Sequence, residues 1–131
     1  MTLDRNSILA ANDIQIERVP VPSWGGEVCI RVISGADRDR VDSFIKSRMG
    51  KDNALKDTAG IRVFVVTLAA CTETGARLFT DEDAKALAEK SSVELDAIYT
   101  AASKLNRLGG EGADEAREDF LSGQSGASGT G

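Results

Sequence analysis

Hydrophobic and polar residues alternate in two short stretches near the start of the chain, a pattern typical of half-buried β-strands. In the first stretch, Ile14 and Ile16 alternate with polar residues before Pro20 and Pro22, which cannot continue a central hydrogen-bonded ladder. A loop of Pro, Ser and Gly follows, longer than a two-residue turn. The pattern therefore predicts a β-hairpin with Trp24 at its tip. The second strand places alternate apolar residues on one face: Val28, Ile30 and Val32.

A helix is predicted directly after the hairpin. Ser34 can accept a backbone N–H at the helix start, Asp37 is favourable in the first turn, and Gly50 supplies a stop. Apolar residues between them recur at spacings of three and four, the period of a helix. Because this apolar stripe is narrow, we expect the helix to lie on the surface of the hairpin's sheet. The stripe consists of Val41, Phe44, Ile45 and Met49.

The segment 61–71, which follows a polar connection at 50–57, fits two kinds of secondary structure. Its β-branched residues favour a strand by propensity. The same segment also places Ile61, Val65 and Leu68 on one helical face. We interpret it as a helix and keep a strand as the alternative.

Two further helices are predicted near 81–90 and 92–108. Thr80 precedes three acidic residues, which suits a helix start, and Ser91 and Glu94 have the spacing of a second capping box. The region should therefore be divided at Ser91. The second helix carries an apolar stripe and ends at a glycine pair: Leu95, Ile98, Ala102 and Leu105, with Tyr99 beside them, then Gly109 and Gly110.

These patterns divide the chain into three parts. Residues 1–13 have no sustained period and predict a loosely ordered lead-in, while 14–108 predict a single α+β domain in which the N-terminal β-hairpin packs with a mainly α-helical remainder. Residues 109–131 hold seven of the thirteen glycines and predict a flexible tail. Within the tail, the acidic segment Ala113–Leu121 either folds on a partner or frays. The candidate partner-binding residues are Trp24, which could instead fold back to cap the hairpin's core, and Ala116, Phe120 and Leu121.

Composition excludes several kinds of chemistry. The 131 residues include no histidine, so the chain has no histidine-based catalytic pair and no imidazole metal ligand. Its two cysteines, Cys29 and Cys71, are too few for a four-thiolate zinc site. We expect them to be reduced and buried, although a single bridge between them is geometrically possible.

The carboxylate clusters do not form a recognisable catalytic or metal-binding motif. Asp37, Asp39 and Asp42 resemble the start of a calcium loop, but Arg48 stands where that loop needs a carboxylate. The acidic residues at 81–83 are explained by their position at a helix start. We therefore predict no enzymatic activity, no metal and no cofactor.

Charge and hydropathy restrict the classes of partner and the cellular location that we expect. The chain carries a net charge of −5, of which residues 111–119 supply −4, and acidic residues are interleaved with the basic ones in the middle of the chain. This distribution argues against nucleic acid as a partner. There is no signal-like start, and the apolar run at 63–71 is too short to cross a bilayer. We expect a protein of the cytoplasm that does not enter a membrane.

Several pieces of sequence occur in a distinctive order, and this ordered set resembles the tail assembly chaperones of long-tailed bacteriophages and prophages. The similarity extends over roughly residues 8–108. The pieces are Ile8-Leu9-Ala10-Ala11-Asn12-Asp13, Val19-Pro20-Val21-Pro22-Ser23-Trp24-Gly25-Gly26, Ser34-Gly35-Ala36-Asp37-Arg38, Gly75-Ala76-Arg77-Leu78-Phe79-Thr80-Asp81-Glu82-Asp83 and Leu87-Ala88-Glu89-Lys90-Ser91.

The resemblance implies a non-enzymatic role in the cytoplasm of a bacterial host. Such a protein would bind the tape-measure protein, keep it soluble, help recruit tail-tube subunits and leave before the virion matures. Self-association into a homo-oligomer is also implied, since several copies would be needed along a long client. The alternative is a minor tail or connector protein that stays in the virion. A weaker alternative is a small-ligand or metal-binding domain.

Overall fold

The two alternating stretches form an antiparallel β-hairpin, as predicted. In the computed structural model, which describes residues 1–50, 52 and 60–108, strand β1 is Ile16–Val21 and strand β2 is Gly26–Arg31. They pair with Val19 opposite Val28. The connection is one turn of 3₁₀ helix at Pro22–Trp24, followed by Gly25 in the left-handed conformation, and it is longer than a two-residue turn.

The segment 61–71 contains both of the structures that its sequence allowed. Helix α3 is Ile61–Ala69, so the helical interpretation is confirmed, and the chain then becomes extended as a two-residue strand β3, Ala70–Cys71. Strand β3 pairs antiparallel with β2, which gives a three-stranded sheet in the order β1-β2-β3. Both cysteines are free and buried, as predicted.

Both edges of this sheet are poorly suited to pairing with a further strand. Strand β1 forms one edge and contains Pro20, which lies opposite Glu27 and has no backbone N–H to donate. Strand β3 forms the other edge and is two residues long. Neither edge offers a long, regular row of backbone groups to a further strand.

Helix α2, Gly35–Lys46, begins as predicted but differs from the prediction in its end and its position. The Ser34 Oγ accepts the Asp37 backbone N–H at 3.1 Å, which confirms the cap. The helix ends at Lys46, well before Gly50, and the Ser47 hydroxyl donates to the Phe44 carbonyl in the final turn. The helix packs mainly against α3 and not on the sheet, because the sheet is covered by another helix.

That covering helix is α5, Ser92–Asn106, which lies against both hairpin strands and against α3. Its predicted stripe faces the core: Leu95, Ile98 and Ala102 are buried, and Leu105 is half-buried. The helix ends before the glycine pair, since Arg107 takes the left-handed conformation (φ 55°, ψ 47°) and closes the last turn. The region does divide at Ser91, where the shorter α4, Ala84–Ala88, precedes α5 after a 3₁₀ turn at Asp81–Asp83.

The predicted lead-in contains a short helix in which every residue is exposed. Helix α1 is Arg5–Ala10, and the Asp4 carboxylate accepts the Ser7 backbone N–H at 2.8 Å at its start. This hydrogen bond, followed by one from the Ser7 side chain, lowers the pKa of Asp4. No side chain of residues 1–13, which we call the N-terminal arm, is buried.

Some of the predicted features lie outside the described residues. These are most of the polar connection at 50–57, the glycine pair, and the tail with Ala116, Phe120 and Leu121. Within the part of the chain that the structure describes, no helix has the length and apolar character needed to cross a membrane.

Candidate interaction surface

Large apolar side chains are exposed in two places that could bind another protein. The first is the N-terminal arm, where Ile8 and Leu9 are 56% and 68% exposed. The second is the hairpin tip together with the start of α5, where Trp24 and Val93 are 41% and 71% exposed. Exposed apolar side chains of this size, when grouped, commonly mark sites of protein interaction.

Local hydrogen bonds determine where Trp24 lies. It ends the 3₁₀ turn between β1 and β2, and Gly25 reverses the chain after it with a φ of 85°. The nearby hydroxyls of Ser91 and then Ser23 lower the pKa of the Glu94 carboxyl. The Ser23 contact joins the hairpin tip to the start of α5. Trp24 is not among the described residues that make up the hydrophobic core, so its ring remains available at the surface.

Most of the acidic residues considered as metal ligands, namely Asp37, Asp42, Asp81 and Asp83, are engaged in ion pairs and caps. The Asp37 carboxylate lies 3.5 Å from both Arg31 and Arg40, and Asp81 accepts from Arg77 at 2.9 Å. Hydrogen bonds from Arg77 and then Arg40 hold the pKa of Asp81 below its ordinary value. Among the described residues, no group of three or more acidic or thiol side chains is placed to hold a metal ion.

At the start of the 3₁₀ turn at Asp81–Asp83, a capping interaction confirms the predicted role of the acidic residues. The Asp83 carboxylate accepts the Thr80 backbone N–H at 2.8 Å, and the Asp83 backbone N–H donates to the Thr80 carbonyl at 3.0 Å. These contacts explain the acidic cluster without a ligand.

Three arginines stabilise helix ends in a way that the sequence pattern does not reveal. Arg31 donates through Nε and Nη2 to the Leu68 carbonyl, and Arg77 donates to the Thr67 carbonyl at 3.1 Å. Both carbonyls lie in the last turn of α3, where backbone oxygens lack helical partners and cations are favourable. Arg38 does the same for α5, donating to the Asn106 carbonyl at 3.0 Å. These contacts join the hairpin and the segment after β3 to the end of α3, and they join α2 to the end of α5.

Phe44 and Phe64 form a further surface feature, which the sequence pattern does not reveal. Their rings stack with centroids 4.8 Å apart, and the Arg48 guanidinium lies 4.1 Å from the Phe44 centroid. The open groove beside them, of about 440 Å³, is bordered by Asp39, Arg40 and Ser43. Only the spacing of Phe44 on the α2 stripe could have indicated it, because Phe64 comes from another helix.

Comparison with known proteins shows the family. The family model described as phage tail assembly chaperone matches residues 4–119 of this chain. The chain belongs to the phage tail assembly chaperone family. The match confirms the resemblance seen in the sequence and extends it on both sides, to include the N-terminal arm and the residues up to 119. No curated protein matches the chain.

A solved structure of another tail assembly chaperone has a similar fold. The tail assembly chaperone of bacteriophage HK97 superposes with a TM-score of 0.54 at 18% sequence identity, covering 80% of this chain and 93% of that one. At this identity the similarity concerns the fold. The role of the family is non-catalytic, which agrees with the predicted absence of enzymatic activity.

Proposed function

We propose that this tail assembly chaperone binds the tape-measure protein, keeps it soluble and helps recruit tail-tube subunits in the cytoplasm of the bacterial host. The observation that carries the proposal is the family match over residues 4–119, which includes the whole folded body and most of the arm. The chaperone acts without catalysis and leaves before the virion matures.

The exposed apolar side chains supply a physical means of holding such a client. A long helical client displays apolar stripes that must be shielded until the tail forms. Ile8 and Leu9 of the arm, with Trp24 at the hairpin tip, can cover part of such a stripe, and each fully buried aliphatic side chain contributes about 1.5–3 kcal/mol. The arm can move onto a client without uncovering the core, because none of its side chains belongs to the core.

We also propose that several copies bind along one client and associate with one another as a homo-oligomer. A single chain of 131 residues covers a short length of a long helical protein. Repeated weak apolar contacts gain affinity when neighbouring copies are held close together.

Co-purification tests the proposal. The tagged full chain is expressed with the tape-measure protein encoded by the same phage or prophage, and the soluble client that co-purifies is measured. The double variant Ile8→Asp with Leu9→Asp, and separately Trp24→Ala, should each reduce the captured client several-fold while the far-ultraviolet circular dichroism is unchanged. A chain truncated after Gly110 tests the predicted contribution of Ala116, Phe120 and Leu121, and it should also lose client.

Matched substitutions provide the controls. Leu78→Asp changes an aliphatic residue that is 49% exposed, close to the value of Ile8, but lies in neither of the two exposed surfaces, and Met49→Ala changes an apolar residue that is 40% exposed, like Trp24. Both should capture the client as well as the unmodified chain does. Equal capture by the arm, tip and control variants would contradict the proposed binding surface.

Purified virions distinguish the chaperone from the structural alternative. A chaperone that leaves during assembly should be absent from mature particles by mass spectrometry. Its presence in stoichiometric amounts would support a minor tail or connector protein.

A further inference from the structure

The two cysteines, 42 positions apart in the sequence, are brought face to face by the sheet. Cys29 in β2 and Cys71 in β3 are direct partners across an antiparallel pair. Such partners have Cα atoms about 4.5–5.5 Å apart, within the range of about 4.4–6.8 Å that a disulfide requires. Both side chains project from the same face of the sheet, because directly opposed residues share a face.

That face is the one turned away from the hydrophobic core. The next pair in the register, Ile30 and Ala70, is fully buried in the core, and neighbouring residues along a strand point to opposite faces. Neither cysteine belongs to the core cluster, and they are 8% and 3% exposed. The thiols therefore lie under a thin cover of side chains on the outer face.

Two arginines contribute to this outer face. Arg18 stands directly opposite Cys29 in β1, where the hydrogen bond to Glu73, followed by the nearby Cys29, raises the pKa of Arg18. Burial and the neighbouring Cys29 raise the pKa of the Cys71 thiol, and Arg31 opposes them. The two thiols therefore lie close to one another and to guanidinium groups, but the net effect of burial at Cys71 disfavours its thiolate, so oxidation of the pair should be faster at alkaline pH.

We propose that Cys29 and Cys71 are an oxidisable dithiol that closes to a cross-strand disulfide by exchange with a low-molecular-weight disulfide such as oxidised glutathione. The thiolate of Cys29, the more accessible of the two, attacks one glutathione sulfur and releases glutathione thiolate. The thiolate of Cys71 then attacks the Cys29 sulfur of the mixed disulfide and releases the second glutathione. The two protein thiols lose two electrons, the glutathione disulfide gains them, and the two protons end on the glutathione products.

The bond would join the hairpin covalently to the end of α3. The ring it closes contains α2 and α3, so it constrains a large part of the unfolded chain. Oxidation should therefore raise the thermal midpoint of the full chain by roughly 5–15 °C relative to the reduced chain.

Oxidation of the purified full chain under native conditions tests the inference. After incubation with excess oxidised glutathione and alkylation with iodoacetamide, the intact mass should show the loss of two hydrogen atoms, no alkylation and no bound glutathione. Digestion should release one peptide pair joined through Cys29 and Cys71. Thiols that stay fully alkylatable, or products restricted to dimers and chains carrying two glutathiones, would overturn the inference.

Single variants and a dithiol probe show whether the two thiols act as a close pair or react independently with the oxidant. Cys29→Ser and Cys71→Ser should each accept one glutathione and should show no rise of the thermal midpoint. Phenylarsine oxide, which bridges two neighbouring thiols, should bind the reduced native chain in one equivalent and block both cysteines. The arsenical test needs no variant, so failure of the native chain to bind it would contradict the inference even where a variant does not fold.

Discussion

Helices α1 and α5 both carry aliphatic side chains, yet they contribute to the molecule in opposite ways. The stripe of α5 formed by Leu95, Ile98 and Ala102 is buried against the hairpin and α3, whereas Ile8 and Leu9 of α1 are exposed. In α5 the stripe extends from Leu95 to Leu105, about three turns, which is long enough to cover a sheet. In α1 the apolar residues are the three consecutive positions Ile8 to Ala10, which span less than one turn and form no such stripe. The body of this chaperone is therefore stabilised by its own packing, and the arm is left available for contacts with other proteins.

The largest expected effect follows from removing the centre of the α5 stripe. Ile98→Ala deletes a side chain that is 1% exposed, and it should lower the free energy of unfolding by about 2–5 kcal/mol. Leu9→Ala in the arm is the matched change and should alter it by less than about 0.5 kcal/mol. Urea denaturation of both variants measures the difference, and similar losses at the two positions would contradict the division between body and arm.

The second largest loss of stability should follow from removing a buried side-chain amide that joins α5 to the hairpin. The Asn106 Oδ1 accepts the Ile33 backbone N–H at 2.8 Å, and Nδ2 donates to the Arg31 carbonyl at 3.1 Å and the Ala102 carbonyl at 3.0 Å. Asn106→Ala leaves the Ile33 donor and the Arg31 acceptor without this partner, which should cost about 2–3 kcal/mol of unfolding free energy. Lys104→Ala, on the exposed side of the same helix, is the control and should change it little.

A smaller effect is expected where the arm joins the body. Gly75 has a φ of 93°, and a Cβ there would stand 3.0 Å from Cγ2 of Ile14, the first residue after the arm. Gly75→Ala should therefore destabilise the body by about 1–2 kcal/mol. Gly35→Ala, where a Cβ meets open space at a helix start, should be neutral or slightly stabilising. If thermal unfolding gives the two variants equal midpoints, the close contact at Gly75 has no energetic consequence.

The smallest effect should depend on pH. Arg77 and Arg40 hold the pKa of Asp81 below its value in the unfolded chain, so this carboxylate stabilises the fold above the unfolded pKa. Its contribution is lost as the pH falls through the lowered pKa of the folded state. Asp81→Asn should thus be slightly less stable than the unmodified chain at neutral pH, and the two should converge in strong acid. A stability difference that grows on acidification would contradict this sign.

The elements that the sequence predicted are those with a repeating local pattern. The hairpin was visible in the alternation around Ile16 and Ile30, and α5 in the spacing of Leu95, Ile98 and Ala102. The family could be recognised as well, because its members share short sequence segments in a characteristic order. Strand β3 could not, since two residues have no period and become a strand through pairing with β2.

Contacts between distant residues account for what the sequence missed. Asn106 looks like an ordinary polar residue at a helix end, and its role depends on Ile33 and Arg31, more than seventy positions away. The position of α2 was wrong for a similar reason, because α5 occupies the sheet face that α2 was expected to cover. Of the candidate site, Trp24 could be found from its glycine-bounded loop, whereas Ile8 and Leu9 were not recognised as exposed apolar residues.

The form of the sheet edges has a consequence if the chaperone acts in many copies, as proposed above. A chaperone concentrated on one client holds its own folded sheets at high local density, which is the condition that promotes runaway strand-to-strand polymerisation. At one edge Pro20 has no backbone N–H to donate, and at the other edge β3 is two residues long. Neither edge therefore favours the addition of a strand from another copy. Copies crowded on one client, as proposed, could then still be released, since contacts between side chains can dissociate.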